Sequence, residues 1–278
     1  MVKEGGNDHR YNESIGSSKK EGFVVENLFD LSGKIALITG SARGLGKTIA
    51  HALATNGATV ILNDINEKSL AETEGEFRSQ NLNCGSVAFN VTNEAQIKDG
   101  IAAVIENYQK LDILVNNAGI NRRAPIVDMP ASDWDAVLDV NLKAYFLVSR
   151  TVAPFMMKNR SGKIINMASL LSEGARPTVI AYTTNKGGVK SLTQSMAIEW
   201  AEYNIQVNGI GPGYFKTEMN KALADDPKFN EWVLSKTPAK RWGDPSDLRG
   251  TAVFLASAAS DFINGHIIYV DGGWLAAL

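Results

Sequence analysis

The chain has 278 residues, a formal net charge of -2, 44% apolar residues and one cysteine, Cys84. That length and apolar content suit one large α/β domain or two small ones, and the small charge excludes a nucleic-acid or anionic-membrane partner held by bulk charge. A lone cysteine excludes an intrachain disulfide and a thiolate zinc cluster, and no apolar run approaches the roughly 18 residues of a membrane span.

Residues 1 to about 27 are polar, punctuated by Gly5-Gly6, Ser17-Ser18 and Lys19-Lys20, and read as a disordered leader ahead of one domain from 28 to 278. The leader lacks the apolar core of a secretory signal, so a reducing, cytoplasmic compartment is expected. His9, His51 and His266 show no metal-ligand spacing, so no metal is expected. Beyond the leader, short apolar runs alternate with longer helical periods. The predicted strands are 34–39, 58–63, 86–90, 111–116, 162–168, 206–210 and 267–270. The predicted helices include 45–55, closed by Asn56-Gly57, then 133–158, interrupted at Pro154, then 178–202, and one opening at Asp244-Pro245. Apolar strands alternating with helices imply a doubly wound, seven-stranded parallel sheet covered on both faces.

Directly after the first strand stands T-G-S-A-R-G-L-G, with Gly40, Ser41, Arg43, Gly44, Leu45 and Gly46 at the mouth of the first helix. Glycines permit a tight turn, and the helix start offers free N–H groups to a pyrophosphate, so a dinucleotide is expected there. Gly46-Lys47-Thr48 also suggests a triphosphate-binding loop, but that pattern needs glycine where Ser41 stands. Asp64 ends the second strand, where a carboxylate can accept from ribose hydroxyls and repel a 2′-phosphate. Arg43 argues the other way, because a guanidinium at the turn can pair that phosphate. NAD is therefore favoured, with NADP tolerated.

Tyr182 and Lys186 lie four residues apart, on one face of a helix, and Ser169 stands thirteen residues upstream. An ammonium about 4 Å from a phenol supplies roughly the 4 kcal/mol that would bring a tyrosine to work near neutrality. With N-N-A-G at 116–119, Asn141, Ser169, Tyr182, Lys186 and Pro212-Gly213 in order, the chain resembles the short-chain dehydrogenases/reductases from about Leu28 onward. The resemblance implies that Tyr182 is the acid-base, Ser169 holds the substrate oxygen, Lys186 tunes Tyr182 and holds the nicotinamide ribose, and Asn141 holds a relay water. It also implies cofactor contacts at Asn90, Val91, Asn117, Ala118, Gly119 and Thr217. Asn116 reads equally as a contact or as a brace within the sheet. A non-catalytic dinucleotide sensor is the reading from another class, but such proteins typically lose the tyrosine or the lysine.

Narrower blocks, F-D-L-S-G-K from Phe29, N-R-R-A-P from Asn121, S-E-G-A-R from Ser172 and N-I-Q-V-N-G-I-G-P-G-Y-F-K-T-E-M from Asn204, resemble the gluconate 5-dehydrogenase branch of that family. They imply a sugar-acid substrate, with Arg176 and one of Arg122 and Arg123 on its carboxylate. Gly174-Ala175, Pro177 and Asn185 depart from that branch. Trp134, Pro245-Ser246-Asp247 and Trp274 resemble the 2-dehydro-3-deoxy-gluconate 5-dehydrogenases instead. The segment 214–240, with Met219, Leu223, Phe229 and Trp232, reads as a helical lid. Family resemblance further implies a homotetramer built on the helices 133–158 and 178–202, with Trp200 and Tyr203 at the interfaces.

Overall fold

The protein's structure is a computed structural model that describes residues 27 to 277, so the expected leader lies outside the described residues apart from Asn27. Seven strands form one sheet: β1 (Ile35–Thr39), β2 (Thr59–Asp64), β3 (Cys84–Ala88), β4 (Ile113–Asn116), β5 (Gly162–Met167), β6 (Ile205–Pro212) and β7 (Ile267–Val270). The order is β3-β2-β1-β4-β5-β6-β7, and every pairing is parallel. Parallel neighbours need crossovers, and these are supplied by helices, as the alternating pattern implied.

The helices begin where side chains satisfy their free N–H groups. In α2 (Glu67–Ser79), the Asn66 side chain accepts from Ser69 N. In α3 (Glu94–Tyr108), the Asn93 side chain accepts from Ala95 N and Gln96 N. Each such cap stabilises its helix by about 1 kcal/mol. α1 (Gly44–Thr55) and α2 bury Ile49, Leu53, Leu70 and Phe77 against one face of the sheet, beside Leu248, Ala252 and Leu255 from a last helix that includes α9 (Arg249–Ala256). The opposite face is covered by α3, by α5 (Ala144–Asn159) and by α6 (Ile180–Trp200), which contribute Ile97, Val148, Val152 and Met196.

Two elements, β3 and the helix expected at 133–158, differ from expectation for identifiable reasons. β3 starts and ends two residues early because its ladder with β2 runs from Val60 beside Cys84 to Asp64 beside Ala88, and past its end Asn63 Nδ2 donates to the Val87 and Phe89 carbonyls. Pro154 does not interrupt α5, because it lies on an exposed face where the carbonyl it strands can meet water. The long helix divides instead at Asp139–Lys143, a π turn between α4 (Ala131–Leu138) and α5.

The middle of the sheet is fastened to two helices by a buried polar chain. Asn116 Nδ2 donates to Asn166 Oδ1 at 2.8 Å and to Ser149 Oγ at 2.9 Å, and Asn166 Nδ2 donates to Thr193 Oγ1 at 3.0 Å. All four residues are fully buried, so Asn116 is a brace of β4 against β5, α5 and α6. Removing one member leaves donors or acceptors without water or partner, which costs about 1–3 kcal/mol each. Asn166→Ala is expected to lower unfolding stability by about 2–4 kcal/mol in a urea titration, with the m-value unchanged.

Candidate active site

A cleft of about 810 Å³ opens above the carboxyl ends of β1 and β4 and runs on past β5 and β6. The strand order reverses direction between β1 and β4, which is where open α/β sheets bind ligands. Its walls include Gly40, Arg43, Gly44, Leu45, Gly46, Asp64, Asn90, Val91, Asn117, Ala118 and Gly119 at one end. The other end holds Asn141, Ser169, Tyr182, Lys186, Pro212, Gly213 and Thr217, with Arg122, Arg123 and Arg176 at the mouth. The sequence-predicted site is thereby brought together with one exception.

That exception is Ser41. Its hydroxyl is fully buried, donates to Ile38 O and accepts from Asn63 N, so it ties β1 to β2 and turns away from the cleft. Lys47, the would-be triphosphate lysine, pairs with Glu76 on α2 outside the cleft. The triphosphate reading fails on both counts.

The turn fits a dinucleotide. Gly40 has φ of +63°, and a Cβ there would lie 2.8 Å from Ala118 Cα. A Cβ on Gly46 would lie 2.4 Å from both Asn117 Nδ2 and Gly40 O. No side chain caps α1, so its first N–H groups and its dipole are left for an anion. Asp64 is half-buried, with Oδ1 accepting from Asn66 N, and can take ribose hydroxyls on its remaining lone pairs. Asn90 Oδ1 is occupied by Thr92 N and Oγ1, which leaves its amide N–H groups to face the cleft. Arg43 reaches across to Glu218, at 3.3 Å, on the segment after β6.

At the other end, Ser169 neighbours Tyr182 in the cleft wall, and Ser169 Oγ accepts from Leu171 N at 3.1 Å. Lys186 is 4% exposed, donates from Nζ to Met167 O, and sits 5.5 Å from the centroid of the Tyr182 ring. Burial pushes Lys186 down to about 7. Burial likewise pushes the Tyr182 phenol up, against the pull of Ser169. The sequence expectation of a depressed Tyr182 is therefore not met by the protein groups alone. Burial opposes the charged form of both partners.

Asn141 is fully buried, and its side chain is closed on one residue: Oδ1 accepts from Ile120 N and Nδ2 donates to Ile120 O, both at 2.8 Å. One amide N–H and one lone pair of Asn141 are left by these two bonds. Its position in the π turn, where Ala144 N bonds to Asp139 O, loosens the main-chain ladder beside the cleft.

The mouth separates the three arginines. Arg122 Nε lies 3.6 Å from Asp133 Oδ1, whereas neither Arg123 nor Arg176 has an acidic partner among the described residues. Burial, with the Arg176 charge beside it, holds Arg123 below the usual guanidinium range, and burial pushes the Tyr214 phenol up against the pull of both arginines. Arg176 Nε is buried without a partner, and its guanidinium lies 5.1 Å over the Phe229 ring. Phe229 belongs to α8 (Pro227–Lys236), where it packs with Trp232, Tyr214 and Trp242, while Trp274 closes the cluster from the C-terminal side. Glu218, Tyr214 and Tyr145 were missed as functional candidates. Tyr145 stands four residues after Asn141, and that spacing was the available signal.

A hydroxyl, a phenol and a lysine beside a dinucleotide turn define a carbonyl/alcohol oxidoreductase site. Residues 40–275 match the family model described as enoyl-(acyl carrier protein) reductase. The chain belongs to the short-chain dehydrogenase/reductase family, whose members are NAD(P)-dependent oxidoreductases. It is 46% identical to 5-keto-D-gluconate 5-reductase of Escherichia coli strain K12, over 91% of this chain and 100% of that protein. It is 44% identical to 2-dehydro-3-deoxy-D-gluconate 5-dehydrogenase of Formosa agariphila, over 91% and 96%. The crystal structure of a gluconate 5-dehydrogenase from Burkholderia cenocepacia J2315, in complex with NADP and tartrate, superimposes with a TM-score of 0.88 at 47% identity, over 90% of this chain and 98% of that one.

The Lys186 site has a stability signature. Unfolded lysine titrates near ~10.4, so between about pH 7 and 10 the unfolded chain binds a proton that the native chain does not, and stability rises with pH in that window. Urea titrations from pH 6.5 to 9.5 without cofactor are expected to show this rise, and Lys186→Met is expected to flatten it.

Proposed function

We propose that the protein interconverts D-gluconate and 5-dehydro-D-gluconate with NAD(P). The observation that carries this reading is the pair of guanidiniums, Arg123 and Arg176, without acidic partners at the mouth that leads to Ser169 and Tyr182. Two planar forks can hold a carboxylate while the polyol chain extends inward and brings its oxidised carbon to the hydroxyls. Arg122, tied to Asp133, is left out of that role. The relatives' names and the tartrate complex agree with a hydroxy acid.

In reduction, the bound nicotinamide supplies the hydride. Ser169 holds the carbonyl oxygen by its hydroxyl, and Tyr182 donates the phenolic proton to that oxygen as the alcohol forms. Lys186, anchored on Met167 O, holds the ribose and stabilises the phenolate left behind. Asn141 fixes Ile120, and so the loop that carries Asn121 to Arg123. In oxidation the proton moves the other way.

NAD is favoured over NADP, because Asp64 faces the ribose end and Arg43 is already engaged by Glu218. The segment 214–240 acts as a lid, fastened by that ion pair and by the seat of Arg176 on Phe229. Met219 belongs to it by sequence, but its side chain lies outside the described residues. A cytoplasmic setting agrees with a single cysteine and with no described helix being long and apolar enough to cross a membrane. A homotetramer agrees with Phe146 on α5 and Ile198 on α6, which are 42% and 81% exposed. Trp200 is not part of such an interface, because it is buried within its own chain under β6.

A second reading, oxidation of 2-dehydro-3-deoxy-D-gluconate, is favoured by the near-equal identity to that enzyme. Initial rates with NADH and NADPH against 5-keto-gluconate and deoxy-keto sugar acids separate the two. The fastest turnover is expected with 5-keto-gluconate, and a deoxy-keto acid preferred by tenfold overturns the first reading. Tyr182→Phe is expected to remove turnover while keeping cofactor binding, and residual activity within tenfold of the parent would sink its assigned role. Arg176→Ala is expected to raise KM for the acid about 10–100-fold with little change in cofactor Kd, the loss of a bidentate charged contact. Light scattering is expected to give four times the 30.0 kDa chain mass.

A further inference from the structure

Lys186 is buried without a counter-ion among the described residues. Its Nζ faces Met167 O from β5, the Tyr182 ring from its own helix and the Tyr145 ring from α5, and no carboxylate lies within ion-pair distance. The charged groups beyond this shell are Arg123 and Arg176, which face Tyr214 near Tyr182. A cation so placed has lost its water and gained one carbonyl, so what else attracts it decides whether it stays an ammonium.

Tyr145 is 1% exposed and packs with Ala168 and Val189 beneath the site. Lys186 Nζ lies 5.4 Å from its ring centroid, against 5.5 Å for Tyr182, so the ammonium is held between two aromatic faces. Its hydroxyl is buried and bonds to nothing among the described residues, which leaves the ring as the part of Tyr145 that touches the machinery. Nothing in the proposed proton transfer uses this residue.

We infer that Tyr145 is a positioning residue for Lys186: its ring forms the second wall of an aromatic cage that keeps the ammonium charged and seated beside Tyr182. A cation over a ring is attracted by the ring quadrupole, and the attraction grows when water is excluded. Tyr182 cannot be both the cage wall and the reacting phenol without a partner wall, because its hydroxyl must stay free to face substrate. Tyr145 supplies that wall from another helix. The inference rests on the roles proposed for Tyr182 and Lys186, and the loss of turnover in Tyr182→Phe tests those roles separately.

The sign of the effect follows from the charge. Losing the ring disfavours the ammonium, less positive charge then faces Tyr182, and the phenolate forms at higher pH. Profiles of kcat/KM against pH for alcohol oxidation, read with whichever acid of the panel the parent enzyme turns over, are compared for Tyr145→Phe, Tyr145→Leu and the closer-volume Tyr145→Met. The Phe variant is expected to keep the parental ascending limb, while Leu and Met move it up by about 0.5–1 pH unit. In the stability titration without cofactor, the pH at which stability begins to rise is expected to move down by a similar amount for Leu and Met alone. An unmoved limb in Leu and Met overturns the inference. An equal shift in Phe also overturns it, because the hydroxyl would then be the acting group.

Discussion

Everything in this molecule is arranged about a gap that the sheet cannot cover. β1 pairs with β2 on one side and β4 on the other, and the chain reaches those neighbours by crossovers on opposite faces of the sheet. No helix can lie over the carboxyl ends of both strands, so a crevice is left there by topology alone. The glycine turn, the start of α1 and the Asn117 to Gly119 segment meet in that crevice because each follows one of the two strands that border it. The polar chain of Asn116, Asn166, Ser149 and Thr193 lies directly below and fixes how β4 and β5 carry their loops into the opening.

Burial is the second constraint, and it acts against the chemistry. Ser169, Tyr182 and Lys186 are placed where water is scarce, which strengthens every dipole aimed at the reacting oxygen but disfavours the ionised forms that move protons. The protein answers with neutral partners, a carbonyl and aromatic faces, and keeps carboxylates away from the lysine. A carboxylate there would hold the ammonium charged at any working pH, but it would also compete with the phenolate for it.

Most of the fold was legible because parallel strands buried on both faces read as apolar runs, and the seven predicted runs all became strands. The site was legible where chemistry demands a residue type at a fixed spacing, as at Gly40, Gly46, Ser169, Tyr182 and Lys186. It was less legible where contacts join segments distant in sequence. Ser41 lies in the motif yet serves β2, Trp200 looks like an interface residue yet fills the core, and Arg122 is the twin of Arg123 until Asp133 separates them. No local pattern distinguishes those outcomes, since each depends on which neighbour arrives from elsewhere in the chain. The burial of Tyr182 and Lys186 together was also invisible, so the electrostatic argument from spacing alone had the solvent too generous.

The π turn at Asp139–Lys143 works as a phase adjuster. An α-helix advances about 100° per residue, so one residue absorbed in a widened turn rotates every later side chain by that angle relative to an uninterrupted helix. Val137, Asn141 and Tyr145, spaced i, i+4 and i+8, share the buried face of this helix, and the widened turn alters the rotation between the first and the last. Deleting a single residue from this turn would restore a plain α-helix whose far half still faces the site, so what the deletion removes is the widened turn itself.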